Sequence, residues 1–206
     1  MDIASGWTEL RACWGKGGQG VVSAINDIED MLPFKLKGFD CDNGSEFLNY
    51  HLLRYFAHPN DENKFRLQFT RSRPYKKNDN AHVEQKNWSH IRQLIGYARL
   101  DNRAIVTLLN DLYTNKVSQF NNFFRPYVKL IKKERIGSKI KKKHSIAMTT
   151  YQRLLQSENI DQQTKTNLEN QYQLLDPFEL RKQIECKLKK IFDLVDVKDL
   201  YSRVAI

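Results

Sequence analysis

Two acids at separated points of the chain have the residue type and setting to do chemistry. Asp42 stands in Asp42-Asn43-Gly44-Ser45-Glu46-Phe47, at the end of an expected strand and before a turn. Glu84 stands in the run NDNAHVEQKN, near the start of an expected long helix. Carboxylates from different elements suit a hard divalent cation, which takes charged oxygen ligands and, as Mg²⁺, keeps positions for phosphate and water. Solvated surface acids are the competing reading, and composition alone favours it. Asp40 shares a side with Asp42 under strand alternation, but residues two apart on one strand do not replace ligands from separate strands. His82 can meet metal-bound water or be a satisfied structural histidine, and the structural role is the expectation.

Gly15-Lys16-Gly17-Gly18-Gln19-Gly20 fits G-x-G-x-x-G, follows an expected strand, opens a helix and has Asp40 about twenty residues on, the positional fingerprint of dinucleotide binding. The preceding segment carries Glu9 and Arg11, whereas the first strand of a doubly wound sheet is buried on both faces and nearly all apolar. A phosphate-binding P-loop is also excluded, since Gly20 is followed by Val21-Val22 and not by Lys-Ser/Thr. A plain turn is the preferred reading.

Cations surround the acids. Arg71, Arg73, Lys76 and Lys77 lie in the loop before Glu84, with Tyr75 available for stacking, and Lys86 and Arg92 follow on the helix. Such groups can neutralise phosphates, as a solvated basic loop can without any partner. The strongest signal is the segment from Arg125 to Lys143, RPYVKLIKKERIGSKIKKK, with nine Lys or Arg against Glu134, a net +8 of the chain's +10. Interleaving Phe123, Phe124, Tyr127, Val128, Leu130 and Ile131 can pack one side while Lys132, Lys133, Arg135, Lys139, Lys141, Lys142 and Lys143 face a duplex backbone. Non-specific or end-flanking DNA binding is expected there, since phosphate contacts carry little sequence information.

The elements that must position these groups follow from periodicity. Trp7–Trp14 alternates with period two, as does Phe34–Cys41, and Lys64–Thr70 reads as a third strand. Val21–Met31 spaces Val21, Val22, Ile25, Ile28 and Met31 as a helix that Pro33 closes, and Ser45–Phe56 reads as a short helix burying Phe47, Leu48, Leu52 and Phe56. A long helix over Asn80–Leu100 places Trp88, Ile91, Ile95 and Leu94 on its buried stripe. A further one, capped by Asp101 or Asn102, buries Ile105, Leu108, Leu109 and Leu112. Helices are expected at Thr150–Leu155, Gln162–Leu175 and Phe178–Leu194, with Asp176-Pro177 as stop and restart. The last carries a stripe of Leu180, Ile184, Leu188, Ile191 and Val195, suited to the core or to a partner helix.

With 206 residues, 40% apolar and 28% charged, the chain is long enough for a core and too polar for a membrane protein. No run approaches the ~20 apolar residues of a bilayer span, and no secretory leader opens it, so a cytosolic chain is expected. Cys13, Cys41 and Cys186 lack metal-ligand spacing and are expected to be small buried residues.

GFDCDNGSEF at Gly38–Phe47 and FTRSRPYKKNDNAHVEQKNW at Phe69–Trp88 resemble the catalytic core of the DDE transposases of bacterial insertion sequences, relatives of retroviral integrases. The similarity continues through NFFRPYVKLIKKERIGSK at Asn122–Lys139 and YQRLL at Tyr151–Leu155. The resemblance implies an α/β, RNase H-like mixed sheet flanked by helices. It also implies two Mg²⁺ or Mn²⁺ ions held by an Asp, Asp, Glu triad, in which Asp42 matches the second Asp and Glu84 the Glu. The first Asp of the family precedes a segment resembling MDIASGWTEL, so the chain is expected to be N-terminally truncated and to lack its first strand. A partial core over 1–118 would then precede a basic, mainly helical extension over 119–206. The implied function is metal-dependent cleavage and strand transfer in DNA transposition, with this chain inactive alone. The alternative is a non-catalytic DNA-binding or multimer-interfering fragment that regulates full-length transposase. Implied partners are transposon ends, target DNA and transposase copies, not membrane, in a bacterial, nucleoid-associated location.

Overall fold

The computed structural model describes residues 1–15, 17–42, 44, 47, 50–58, 61–73 and 84–195, with backbone alone at 61–63. The chain is mixed α/β. Its order is α1 (Gly18–Met31), β1 (Gly38–Cys41), α2 (Tyr50–Phe56), β2 (Ala57–His58), β3 (Asp61–Phe65), β4 (Gln68–Arg71), α3 (84–87), a π-helical turn (Trp88–Arg92) and α4 (Gln93–Ile95). There follow α5 (Ala104–Leu112), two more π-helical turns (Tyr113–Val117 and Phe120–Phe124), β5 (Leu130–Ile136), β6 (Lys139–His144), α6 (Thr150–Leu155), α7 (Gln162–Gln173) and α8 (Pro177–Phe192). Two compact units divide the chain. One comprises Arg11–Asn110 with the residues from Lys187 on, the other Met1–Leu10 with Asp111–Cys186.

In the Arg11–Asn110 unit, β1 and β4 pair in parallel with Phe39 opposite Phe69 and Asp40 opposite Thr70, and α2 lies between them in sequence. Alternation sends Phe39 and Phe69 to one face, where their rings stack at 5.9 Å and Phe39 meets Phe56 at 4.8 Å. Buried Leu52, Phe56 and Leu67 anchor this core, and Val22 and Ile25 of α1 pack against it. Of the five apolar residues spaced along α1, Val22 and Ile25 pack while Met31 is exposed, and the helix ends at Met31, two residues before Pro33.

Three expected elements change here. The strand over Lys64–Thr70 is two strands in different sheets: Phe65 ends β3, which pairs with β2, and Gln68 begins β4. The bend is held by backbone bonds to different partners, Arg66 N–H to Phe56 O at 2.9 Å and Gln68 N–H to Lys37 O at 3.0 Å. The strand expected from Phe34 pairs only over Gly38–Cys41. Phe47 sits in a turn, its N–H bonded to Gly44 O, and the described helix begins at Tyr50; Ser45 and Leu48 lie outside the described residues.

The expected strand Trp7–Trp14 has no regular structure, bends at Trp14 and belongs to no ladder. Trp7, Thr8 and Glu9 are all buried, so alternation fails. Asparagine carboxamides take the place of a neighbouring strand. Asn122 Oδ1 accepts the Thr8 N–H at 2.9 Å and its Nδ2 donates to Thr8 O at 3.0 Å; Asn110 does the same to Ala12, at 2.7 and 3.1 Å. A primary amide has the donor and acceptor of a peptide group, so each side chain supplies one rung.

Asn122 belongs to the unit built from Met1–Leu10 and Asp111–Cys186. Its core is aromatic: Trp7 meets Phe123 edge-on at 5.7 Å, Phe123 meets Tyr151 at 5.2 Å, and Tyr151 stacks on Tyr172 at 4.9 Å. Thr149 caps α6 in a reciprocal box with Gln152, and Asp161 caps α7 through Thr164 N–H. The Asp176-Pro177 restart is realised, with Asp176 Oδ1 accepting the Phe178 and Glu179 N–H groups. Of the expected C-terminal stripe, Leu180 and Ile184 of α8 are buried in this unit; Ile191 and Val195, also buried, belong to the Arg11–Asn110 unit. The basic segment is the β5–β6 hairpin, a strand pair inside the stretch read as mainly helical.

Candidate functional site

Asp42 directly follows β1, at the carboxyl end of the parallel pair, where α/β sheets generally place ligand sites. It is half-buried, and its Oδ1 accepts the Gly44 N–H at 2.9 Å, an Asx turn that orients the carboxylate. Asp40, exposed one strand-step earlier, accepts the hydroxyl of its cross-strand neighbour Thr70 at 2.7 Å. Between them Cys41 is buried. Burial first, then the negative charges of Asp40 and Asp42, push its thiol up to about 11, so it stays protonated and inert near neutrality.

On β4, Arg71 lies opposite Cys41, and the ladder extends one step further through Ser72 N–H to Cys41 O at 2.9 Å. Ser72 is buried while Arg71 and Arg73 are exposed. Both guanidinium-bearing residues therefore leave the sheet at the end where Asp42 leaves it. Lys76, Lys77, Tyr75 and His82 lie outside the described residues. Glu84 is exposed at the start of α3, and Lys86 is half-buried one residue beyond Gln85. Arg92 lies 4.8 Å over the Tyr97 ring and donates to Gly96 O at 3.2 Å, closing the end of that helix. Among the described residues no group of three His, Cys, Asp or Glu side chains converges. Asp42 and Glu84 each offer carboxylate oxygens, the ligand type a hard dication takes.

Trp88, expected on a buried stripe, is 54% exposed. It opens the π-helical turn Trp88–Arg92. Winding to i+5 inserts a residue into the 3.6-residue repeat, so a stripe counted in threes and fours loses its register there. An exposed indole one turn past Glu84 is a feature that the helical count hid.

The cations of the basic segment stand on a ribbon whose thirteen strand residues, Leu130–Ile136 and Lys139–His144, are all exposed. Val128, Leu130 and Ile131 are 49%, 50% and 63% exposed, so the expectation that they pack one side fails. Phe123 alone of that group is fully buried. The turn is Gly137-Ser138, with Gly137 at φ 61°, the left-handed conformation a two-residue hairpin loop needs. The ribbon's register pairs Lys132 with Lys143, Lys133 with Lys142 and Glu134 with Lys141. In the first two of these pairs like charges face each other, an arrangement that destabilises a sheet and is relieved by an anionic partner.

The ribbon has a firm root. Tyr127 bridges to Met148, and Ser145 N–H donates to Lys129 O at 2.8 Å. Arg153 of α6 lies 4.7 Å over the Tyr127 ring and donates to Tyr127 O at 2.9 Å. The Tyr127 hydroxyl donates to Ser5 O, and Lys129 Nζ donates to Ile3 O. Gly6, at φ 84°, lies so close under the Tyr127 ring that any side chain there would collide with it. Of these root residues only Tyr127 stands out in the sequence, because their roles depend on contacts between positions from 16 to 126 apart, which no local pattern displays.

No protein-family model and no solved structure matches the chain. A protein of Sinorhizobium fredii (strain NBRC 101917 / NGR234), described as "Uncharacterized protein y4rM", is 38% identical over 143 residues, which are 69% of this chain and 39% of that protein. The chain thus spans about two fifths of that relative's length.

Proposed function

We propose that the chain is part of a DNA transposase of the DDE insertion-sequence type, with an RNase H-like core over 1–118 and a DNA-binding extension over 119–206. Asp42 and Glu84 are its metal-holding acids. The observation that carries the reading is the position of Asp42 at the carboxyl end of a parallel strand pair, beside emerging Arg71 and Arg73. Mg²⁺ or Mn²⁺, when bound, supplies activation of an attacking water or 3′-hydroxyl and charge stabilisation of the leaving oxygen.

The chain's own groups do the rest. The Gly44 N–H holds the Asp42 carboxylate in one orientation. Arg71 and Arg73, with Lys76, Lys77 and Lys86, neutralise phosphates flanking the scissile bond, and the ribbon cations hold the duplex. The first acid of the triad matches no residue of the chain, so on this reading the 206 residues bind DNA and transposase copies without catalysing alone.

The test joins an opening strand ending in Asp to the N-terminus and measures Mg²⁺-dependent nicking and strand transfer. Activity should appear, vanish in Asp42→Asn or Glu84→Gln, and leave duplex affinity within about twofold, since phosphate contacts dominate affinity. Activity that survives either substitution overturns the assignment. A second reading, a non-catalytic fragment that interferes with full-length transposase, is favoured by the exposed ribbon, and mixing with an active relative would show it as lost strand transfer.

A further inference from the structure

The register sorts the ribbon's charges in a way the sequence does not display. Cross-strand partners share a face, so Lys139, Lys141 and Lys143 lie on one face with Lys132, Glu134 and Ile136. Lys133, Arg135 and Lys142 lie on the other with Ile140. Lys132 is paired with Glu134, and among the described residues no other ion pair falls on the ribbon. Three cations outside that ion pair therefore stand on each face of a two-stranded, exposed arm, with Arg135 Nε donating to Gly137 O at 3.3 Å.

A flat partner cannot satisfy this arrangement, because only one face can meet it. A cleft with two anionic walls can. The major groove of duplex DNA is about 12 Å wide and 8.5 Å deep and has a row of phosphates on each side. A ribbon with side chains on both faces is about 10 Å thick, from the spacing of stacked sheets, whereas the minor groove, at about 6 Å, is too narrow. A lipid surface would need a continuous apolar face. Here the isoleucines near the tip, Ile136 (63% exposed) and Ile140 (54%), lie on opposite faces.

Resting on the DNA-binding reading above, we infer that the β5–β6 ribbon inserts edgewise into the major groove, Lys139, Lys141 and Lys143 facing the phosphates of one strand and Lys133, Arg135 and Lys142 those of the other. The Gly137-Ser138 turn leads, and the Tyr127–Arg153 stack at the root fixes the direction of entry. Base-edge hydrogen bonding has no part in this contact, so affinity should depend weakly on sequence.

The test measures binding of the 206-residue chain to a fluorescent 20-base-pair duplex by anisotropy between 50 and 200 mM salt, for wild type and two triple variants. These are Lys139→Gln/Lys141→Gln/Lys143→Gln and Lys133→Gln/Arg135→Gln/Lys142→Gln. The replaced side chains are exposed, and circular dichroism checks that both variants fold. Each variant should lower the slope of log K against log[salt] by about 2 to 3, from roughly 0.9 per phosphate contact. A duplex whose major groove is filled by glucosylated 5-hydroxymethylcytosine should bind at least tenfold more weakly, while netropsin in the minor groove should change affinity less than twofold. If one triple variant loses the slope and the other keeps it, the ribbon lies on the backbone by one face; the insertion is then refuted and DNA binding stands. If wild type fails to bind duplex at 50 mM salt, or binds anionic vesicles or RNA in its place, both readings fall.

Discussion

Replacing Asn122 by Ala should destabilise the unit that contains it far more than replacing Asn110 does, although each clamps one residue of the segment Trp7–Trp14. Asn122 is fully buried and Thr8, which it clamps, is 4% exposed. Truncation to Ala leaves the Thr8 N–H and C=O without their 2.9 and 3.0 Å partners, in a place water reaches poorly. Each orphaned buried group costs about 1–3 kcal/mol, so the loss for the two is about 2–6 kcal/mol against a total stability of about 5–15 kcal/mol. The same carboxamide also donates to Ser118 Oγ at 3.1 Å, and that hydroxyl donates to Glu9 Oε1, so the damage extends into the polar cluster beneath Trp7. Asn110 and Ala12 are half-buried, water substitutes for the lost amide, and about 1 kcal/mol is expected. Urea unfolding followed by tryptophan fluorescence reports on this unit through Trp7, whose indole donates to Glu9 and meets Phe123. With m near about 2 kcal/mol per molar, inside the usual range of about 1–3, the Asn122→Ala midpoint should fall by about 1–3 M. A cost below 1 kcal/mol, or equal effects at the two asparagines, would refute the idea that these amides replace a strand.

Two further outcomes follow from titrating groups. Arg66 grips the Glu29 carboxylate with both terminal nitrogens, at 2.7 and 2.6 Å, and with the Tyr55 hydroxyl holds the acid below its ordinary value. A depressed folded pKa gives stability that is present above the unfolded carboxylate value and lost as pH falls through the folded one. Glu29→Gln should therefore cost about 1 kcal/mol at pH 7, a modest figure for a partly exposed pair, and the difference from wild type should shrink as pH falls below the ordinary carboxylate range. A gap unchanged at pH 3 would show that the ion pair is not its source. Thiol titration at pH 8 should modify exposed Cys186 readily, Cys13 more slowly because partial burial raises its thiol too, and Cys41 only after denaturation, since burial and two neighbouring acids keep its proton on. Rapid reaction of all three would place Cys41 at the surface.

The expectation that all three cysteines are buried holds for Cys41 alone, and the failures elsewhere share one cause. Periodicity states which side chains want cover; it does not say what supplies the backbone partners. Trp7–Trp14 has the alternation of a strand, yet the amides of Asn110 and Asn122 provide its rungs. Lys64–Thr70 is one apolar-polar run, yet Lys37 and Phe56 capture different parts of its backbone and divide it between two sheets. Trp88 fits a helical stripe until a π turn rotates the count.

What the sequence alone determined is local. The net +8 between Arg125 and Lys143, the apolar stripes of α1, α5 and α8, the Pro177 restart and the acid placed at a strand end are all properties of neighbouring residues, and short-range sterics and solvation suffice to express them. Tertiary structure alone decided that the basic run is a two-faced ribbon, that Gly6, Tyr127 and Arg153 root it, and that Asp42 and Arg71 leave adjacent parallel strands. Those outcomes need backbone pairing and packing between residues remote in the chain, where the gain from one partner depends on which others are already in place.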